Sequence, residues 1–244
     1  NGSSALAAPK GNFGDIENTG VEIALNTRPI VTKNFDWSSD FQISFNKNKL
    51  KSLSGSSALV GYGQWTDVVS MTQEGQSLYE FYGYKTDGVF STTQEAQAAG
   101  LRMIAPNGSI TPFEAGDVKF VEGPDSRDKM IDEKDMVQIG DPNPDFYGRF
   151  TTSLSYKGLT LSATFNAVYG NDVFNYQRMI LENGSRFMNQ TIAMVNRWTC
   201  EGQNTVIPVA TYGDPMQNSR FSDRWIEDGS YLKLKNITLS YKLP

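Results

Sequence analysis

The sequence predicts an all-β chain forming part of an antiparallel transmembrane β-barrel, with long loops gathered at one end. Three observations predict it. Apolar and polar residues alternate with a period of two over five long stretches. The connections between those stretches are alternately very short and very long. Aromatic residues collect where the short connections lie.

The first strand is expected over 14–27, where Val21, Ile23 and Leu25 alternate with Glu22, Ala24 and Asn26. The second, 36–50, sets Trp37, Phe41, Ile43 and Phe45 against Asp40, Gln42, Ser44 and Asn46. The third, 145–157, sets Phe146, Phe150, Leu154 and Tyr156 against Tyr147, Arg149, Thr151, Ser153 and Ser155. In the fourth, 158–170, Leu159, Leu161, Ala163, Phe165, Ala167 and Tyr169 oppose Thr160, Ser162, Thr164 and Asn166. The fifth, 230–243, carries Ile237, Leu239, Tyr241 and Leu243 opposite Asn236, Thr238, Ser240 and Lys242. Such strands exceed the usual length of about five or six residues in soluble sheets.

A short link around Arg28–Phe35 joins the first pair, and a tight turn at Lys157–Gly158 joins the second. By contrast, roughly 90 residues (loop 54–144) and roughly 60 residues (loop 171–229) fill the other two connections, far beyond ordinary loop length. Within them, helical spacing of Ile192, Val195 and Trp198 predicts an amphipathic helix around Gln190–Trp198. A second short helix is expected over Gln94–Leu101, ending at Gly100. Neither is expected to be a separate domain.

Phe35, Trp37, Tyr156 and Tyr241 all fall near the rim of the short turns, where a barrel carries an aromatic girdle. The alternative places them in the core of a sandwich. The uniformly polar opposite faces favour the girdle. Apolar faces are then expected outward, with Ile43, Phe45, Leu161, Phe165, Ile237 and Leu239 on lipid and a wet lumen inside.

Composition excludes much chemistry. The 244 residues include no His, one Cys and 22 Gly, with 22 Lys+Arg against 27 Asp+Glu. Without His there is no Ser-His-Asp or Cys-His pair, no HExxH zinc site and no imidazole base. Cys200 alone forms neither an internal disulfide nor a multi-thiolate metal site. A net charge of −5 argues against nucleic acid as a partner. No apolar run reaches the ~18 residues of a spanning helix, which leaves a barrel open. No initiator Met, signal peptide or lipidation Cys opens the sequence, so an interior piece of a longer protein is expected.

One segment has metal-like spacing, Glu122-Gly-Pro-Asp125-Ser-Arg-Asp128-Lys-Met-Ile-Asp132-Glu-Lys-Asp135. With Ile131 as the central apolar residue, Asp128, Asp132 and Asp135 fall at the oxygen-ligand positions of a calcium loop. Lys129 stands where the turn glycine belongs, and Pro124 replaces the first acidic ligand, so a solvated acidic loop competes with that reading. Gly61-Tyr-Gly63 is no dinucleotide loop, since no helix pattern or third glycine follows. Nothing singles out a carboxylate pair for glycoside hydrolysis, and Asn183-Gly-Ser185 is a chance-level acceptor motif. Trp65, Tyr79, Tyr82 and Tyr84 either stack on sugars or a partner, or pack the first loop itself.

Several stretches resemble a known family. Gly14-Asp-Ile-Glu-Asn-Thr-Gly-Val-Glu-Ile-Ala-Leu-Asn26, Phe81-Tyr-Gly-Tyr-Lys-Thr-Asp-Gly-Val-Phe90 and Gly116-Asp-Val-Lys119 are similar to signature stretches of SusC/RagA-type TonB-dependent transporters. So are Ile139-Gly-Asp-Pro-Asn-Pro-Asp-Phe-Tyr-Gly148 and, most specifically, Ser222-Asp-Arg-Trp-Ile-Glu-Asp-Gly-Ser-Tyr-Leu-Lys-Leu-Lys-Asn-Ile-Thr-Leu-Ser-Tyr241. They recur in family order along nearly the whole chain. That family's acidic loop reads Asp-x-Asn-x-Asp-Gly-x-Ile-Asp, from which this sequence departs between Pro124 and Lys129.

The resemblance implies a late part of a barrel of about 22 strands in the bacterial outer membrane, with the plug domain outside this chain and both long loops extracellular. It implies transport, not enzymatic catalysis: import of oligosaccharides or peptides with a SusD-like surface lipoprotein, driven by TonB–ExbB–ExbD through the plug. The alternative is a secreted or surface β-rich protein that binds glycans without moving them.

Overall fold

The computed structural model describes residues 14–55, 58–62 and 69–243. Five long strands dominate it: β1 (Gly14–Val31), β2 (Phe35–Leu53), β3 (Phe146–Tyr156), β4 (Leu159–Tyr169) and β5 (Tyr231–Tyr241). They lie side by side in chain order as one antiparallel sheet. The sheet does not close on itself, so β1 and β5 are its edges among the described residues.

Both short connections are at one end. The first is shorter than the Arg28–Phe35 link suggests, because β1 and β2 run on to Val31 and Phe35. Thr32 closes that turn, its hydroxyl accepting from Phe35 N at 2.9 Å. In the second, Lys157 and Gly158 both adopt positive φ, 46° and 87°, the twist of a two-residue hairpin turn.

Two bulges keep the apolar residues on one face. Leu25 pairs with Phe41 but Ile30 pairs with Trp37, so β1 carries one extra residue around Arg28-Pro29. Proline is tolerated there because the bulged residue leaves the hydrogen-bond ladder. In β5, Thr164 pairs with Asn236 while Phe165 pairs with Leu234, which skips Lys235. Without that skip, Leu232 and Leu234 would point to the face opposite Ile237 and Leu239.

The long connections are not open loops. Short strands fill them: Ala58–Tyr62, Val69–Gln73, Glu80–Gly83 and Val137–Gly140 form one antiparallel sheet. Arg102–Ile104 lies between Met130–Ile131 and Ile110–Pro112. Thr86–Val89 pairs with Val118–Phe120, and Asp172–Phe174 with Ile226–Asp228. Phe90, Ala96, Leu101, Met103, Phe113, Val118, Phe120 and Ile131 pack into a core of their own. Sequence periodicity misses this body because strands of two to five residues are too short to show a period.

The helix α1 (Thr93–Ala99) forms where expected. Thr92 caps it by accepting from Glu95 N, Glu95 reaches back to Ser91 N at 2.9 Å, and Gly100 ends it at φ 66°. A second helix, α2 (Tyr176–Glu182), is capped by Asn175. The helix expected around Gln190–Trp198 is only a 3-10 turn, Ile192–Asn196. Thr191 makes no side-chain cap there, and Trp198 is drawn away: its N donates to Ile207 O and its Nε1 to Ser91 O. Met194 is the buried residue of the turn, whereas Ile192 and Val195 are exposed.

Candidate functional site

The candidate site is a two-faced wall with a folded body at one end. Paired residues share a face in an antiparallel sheet, so the register gives the content of each face. One face carries Val21 against Phe45, Ile23 against Ile43, Phe41 against Phe150, Phe150 against Phe165, and Leu161 against Leu239. Phe45, Leu161, Ile237 and Leu239 are exposed, Ile43 and Phe165 are half-buried, and among the described residues no second sheet covers them.

Aromatic rows bound this apolar face at both ends. Near the turns, Phe35 pairs with Tyr156, Tyr156 with Leu159, and Leu159 with Tyr241. At the other end Phe45, Phe146 and Tyr169 touch, with ring centroids 5.9 and 5.4 Å apart. From Phe146 to Tyr156 is about 33 Å of strand at ~3.3 Å per residue. At a tilt of about 40° that gives a height of about 25 Å, the thickness of an outer-membrane apolar band. Beyond the upper row, β2 turns to the exposed residues Lys47 and Lys49 on the same side.

The opposite face is polar in continuous rows. Hydroxyls pair across β3 and β4: Thr151 with Thr164 at 3.2 Å, Ser153 with Ser162 at 2.9 Å, Ser155 with Thr160 at 2.9 Å. Nearer the folded body, Gln42, Arg149, Asn166 and Lys233 form one row, and Glu22, Ser44, Tyr147, Val168 and Tyr231 the next. Residues of these rows, Glu22, Gln42, Tyr147, Arg149, Asn166 and Tyr231 among them but not Lys233, line a depression of about 760 Å³.

The body is fastened to this polar side. Asn48 accepts from Leu78 N at 2.6 Å and donates to Asn143 Oδ1 at 2.8 Å. Leu50, 1% exposed, is enclosed beside Gln76, whose carbonyl accepts from Leu50 N. The two long connections are also clamped together. Tyr84 N donates to Phe221 O, Asp223 N donates to Tyr84 O, and Thr86 donates to Asp223 by both its N and its hydroxyl. Gly83 sits in that joint, where a Cβ would meet Phe221 O at 2.9 Å. The buried Arg220 guanidinium lies over the rings of Tyr84 (4.8 Å) and Phe120 (4.7 Å), and burial lowers its pKa. Burial likewise raises the Tyr84 phenol. Asp117, also buried, accepts from Glu114 N and Asn218 Nδ2, and burial raises its carboxyl above the usual range.

The acidic segment Glu122–Asp135 does not bring Asp128, Asp132 and Asp135 together as a donor set. Among the described residues no three His, Cys, Asp or Glu are grouped to hold a metal ion. Asp135, 1% exposed, accepts from Gly123 N and Asp132 N, both at 2.8 Å. Asp132 accepts from Lys134 N, and Asp128 from Met130 N. Lys129 keeps the left-handed backbone of the turn-glycine position, φ 62°, and its Nζ donates to Ala99 O. Both oxygens of Asp135, and one each of Asp132 and Asp128, thus accept from backbone N–H groups.

The loop aromatics divide. Trp65 lies outside the described residues. Tyr84 packs on Phe120 inside the body, Tyr82 is half-buried, and Tyr79 is exposed at φ 62°. Phe187 and Tyr212, which sequence reasoning passed over, are exposed side by side with centroids 5.6 Å apart.

No family model matches the chain. It is 32% identical over 248 residues to the TonB-dependent receptor P3 of Formosa agariphila, covering 99% of this chain and 23% of that receptor. It is 33% identical to the receptor P26 of the same organism over 96% of this chain and 23% of that one. With the TonB-dependent receptor SusC of Bacteroides thetaiotaomicron the identity is 26%, over 94% of this chain and 21% of SusC. Its fold superposes on the RagAB peptide importer in the closed-closed state at a TM-score of 0.72, with 23% identity, over 96% of this chain and 24% of that one. The open-open state gives 0.71 at 24% identity, over 95% of this chain and 23% of that one. The chain therefore spans about a quarter of its relatives' length, and it belongs to the SusC/RagA-type TonB-dependent receptors of the bacterial outer membrane, as a segment of one.

Proposed function

We propose that the full receptor is an active importer of peptides or oligosaccharides, and that this segment is part of its barrel wall and outer mouth. The observation that carries the reading is the division of the five-strand sheet. Its outer face is an apolar band bounded by aromatic rows, and its other face is predominantly polar. A soluble sandwich has the reverse need, an apolar interior. Edges β1 and β5 call for further strands, because lipid offers no hydrogen bonds to an open sheet edge.

In this reading the body built from 54–144 and 171–229 is extracellular, beyond the lysines of β2. It forms the vestibule and the docking surface for a SusD-like lipoprotein. Energy comes from TonB–ExbB–ExbD through a plug in the rest of the receptor. A structural neighbour described as a peptide importer supports the peptide class, and the oligosaccharide class stands beside it. The receptor is not an enzyme; the segment recognises and contains cargo through many modest contacts.

Uptake by cells with and without the receptor gene tests transport, using labelled peptides and oligosaccharides. Topology has a built-in probe in Cys200, which is exposed. A membrane-impermeant maleimide should label the full receptor on intact cells and lose that signal in C200S. Labelling at Cys200 only after the outer membrane is permeabilised would reverse the topology. A receptor that leaves uptake unchanged when deleted, and stays soluble without detergent, would instead fit a surface glycan binder.

A further inference from the structure

We propose that Lys47 and Lys49 hold the phosphate of a lipid headgroup against the outside of the barrel wall, at the extracellular rim of the apolar band. The inference rests on the wall reading and on the extracellular placement of the long connections, and adds a lipid ligand to them. Past the aromatic row of Phe45, Phe146 and Tyr169, β2 continues, and alternation keeps Lys47 and Lys49 on the face of Phe41, Ile43 and Phe45. At ~3.3 Å per residue they stand about 7 and 13 Å beyond Phe45 along the strand. A tilt of about 40° turns these into heights of about 5 and 10 Å above the band. The polar layer on each side of the hydrocarbon is roughly 5–7 Å thick. Lys47 falls within it, and Lys49 reaches it by bending its stem back.

Position, more than exposure, carries the assignment. In the sheet β2 is an inner strand, with β1 along one edge and β3, then Gln76, along the other. No further strand of a barrel enters between these neighbours, and the lysines share the side that meets lipid. The backbone around them is fixed. Asn48 accepts from Leu78 N and donates to Asn143 Oδ1, Leu50 N donates to Gln76 O, and Gly75 N donates to Leu50 O. Thr19 pairs with Lys47 and is exposed beside it, which adds a hydroxyl donor.

The nearby carboxylates are engaged or lie farther out. Glu17, opposite Lys49, forms an ion pair with Lys51 at 3.2 Å. Asp15 lies beyond it, opposite Ser52, and Glu74 accepts from Leu53 N. The Asp145 carboxylate lies against Gly170. Phosphate is the anion that fits this rim, because lysine binds it as a point charge without a fixed fork. An anionic lipid surface also gains attraction from each lysine near it, and the aromatic row below holds the boundary between acyl chains and headgroups.

The test uses the full-length receptor in nanodiscs of phosphatidylcholine doped with lipid A, or with lipid A stripped of its phosphates by phosphatase. Native mass spectrometry counts the lipid that stays on the receptor. Wild type should retain the phosphorylated form about tenfold over the stripped one. K47Q/K49Q should lose that preference, and the charge-conserving K47R/K49R should keep it. Heat-modifiable gel mobility reads folding; should the double variant fail to fold, K47Q and K49Q are read singly. Equal retention of the two lipids by wild type would overturn the inference, as would a preference that survives in K47Q/K49Q. Excess inorganic phosphate should leave the lipid in place, and displacement would overturn the lipid assignment in favour of a free-anion site. Labelling of Cys200 only after permeabilisation, with the lipid preference intact, would overturn the orientation and keep the headgroup site. A lost preference with normal labelling and uptake removes this inference alone.

Discussion

Phe165 of β4 pairs with Leu234 of β5, and not with the Lys235 that uninterrupted alternation would bring opposite it. Asn236 then meets Thr164, so the skipped lysine shifts the phase of β5 by one residue. Leu232 and Leu234 thereby join Ile237 and Leu239 on the same apolar face.

That bulge predicts that the extra residue tolerates both removal and replacement. Deleting Lys235 leaves Leu232, Leu234, Ile237 and Leu239 in unbroken alternation on one face with the same partners on β4, so the full receptor should still assemble, and loss of assembly would contradict the bulge. K235A should assemble like wild type. Heat-modifiable gel mobility of the receptor in outer-membrane fractions reads both.

Charge on the two faces should have unequal cost. I237K places an ammonium in the apolar band and should destabilise the folded receptor by about 2–4 kcal/mol if that position is near the bilayer midplane. T164K, on the polar face, should cost far less. Chemical denaturation of the purified receptor in bilayers gives the comparison, and equal costs would contradict the assignment of faces.

Asp135 is expected to act as an internal brace. D135A leaves Gly123 N and Asp132 N without their acceptor and should cost about 1–3 kcal/mol locally. The expected readout is faster proteolysis within 120–136. Chelator added to wild-type receptor should change neither proteolysis nor uptake; an effect of chelator that added calcium reverses would restore the metal loop.

Asp117 has its carboxyl raised, chiefly by burial. The folded state therefore holds a proton at pH values where the unfolded chain has lost it. The sign follows: stability falls as pH rises from the ordinary carboxylate value of 3.8 through the raised folded one. D117N should flatten that slope in a thermal-unfolding series of the receptor.

G83A should loosen the joint between the two long connections. Its Cβ would sit 2.9 Å from both Phe221 O and Ile139 Cδ1, and overpacking of that kind costs about 1–3 kcal/mol. Hydrogen exchange at Tyr84 N and Asp223 N, the two amides of the clamp, should rise together.

The sequence by itself determined the wall. A period-two pattern over eleven or more residues is a local signal, and the lopsided connections fixed where strands must turn. The cap at Thr92 and the stop at Gly100 were legible for the same reason, since both act within one helical turn. Only tertiary structure decided the rest. The core around Phe90, Val118 and Phe120 draws on strands of two to four residues whose partners are distant in sequence. The row Gln42–Arg149–Asn166–Lys233 exists only once three strand pairings set its register. The acidic segment shows the limit most plainly. Its carboxylates have metal-like spacing, but whether an oxygen meets a cation or a backbone N–H depends on how the chain folds back, and Asp135 folds back onto Gly123.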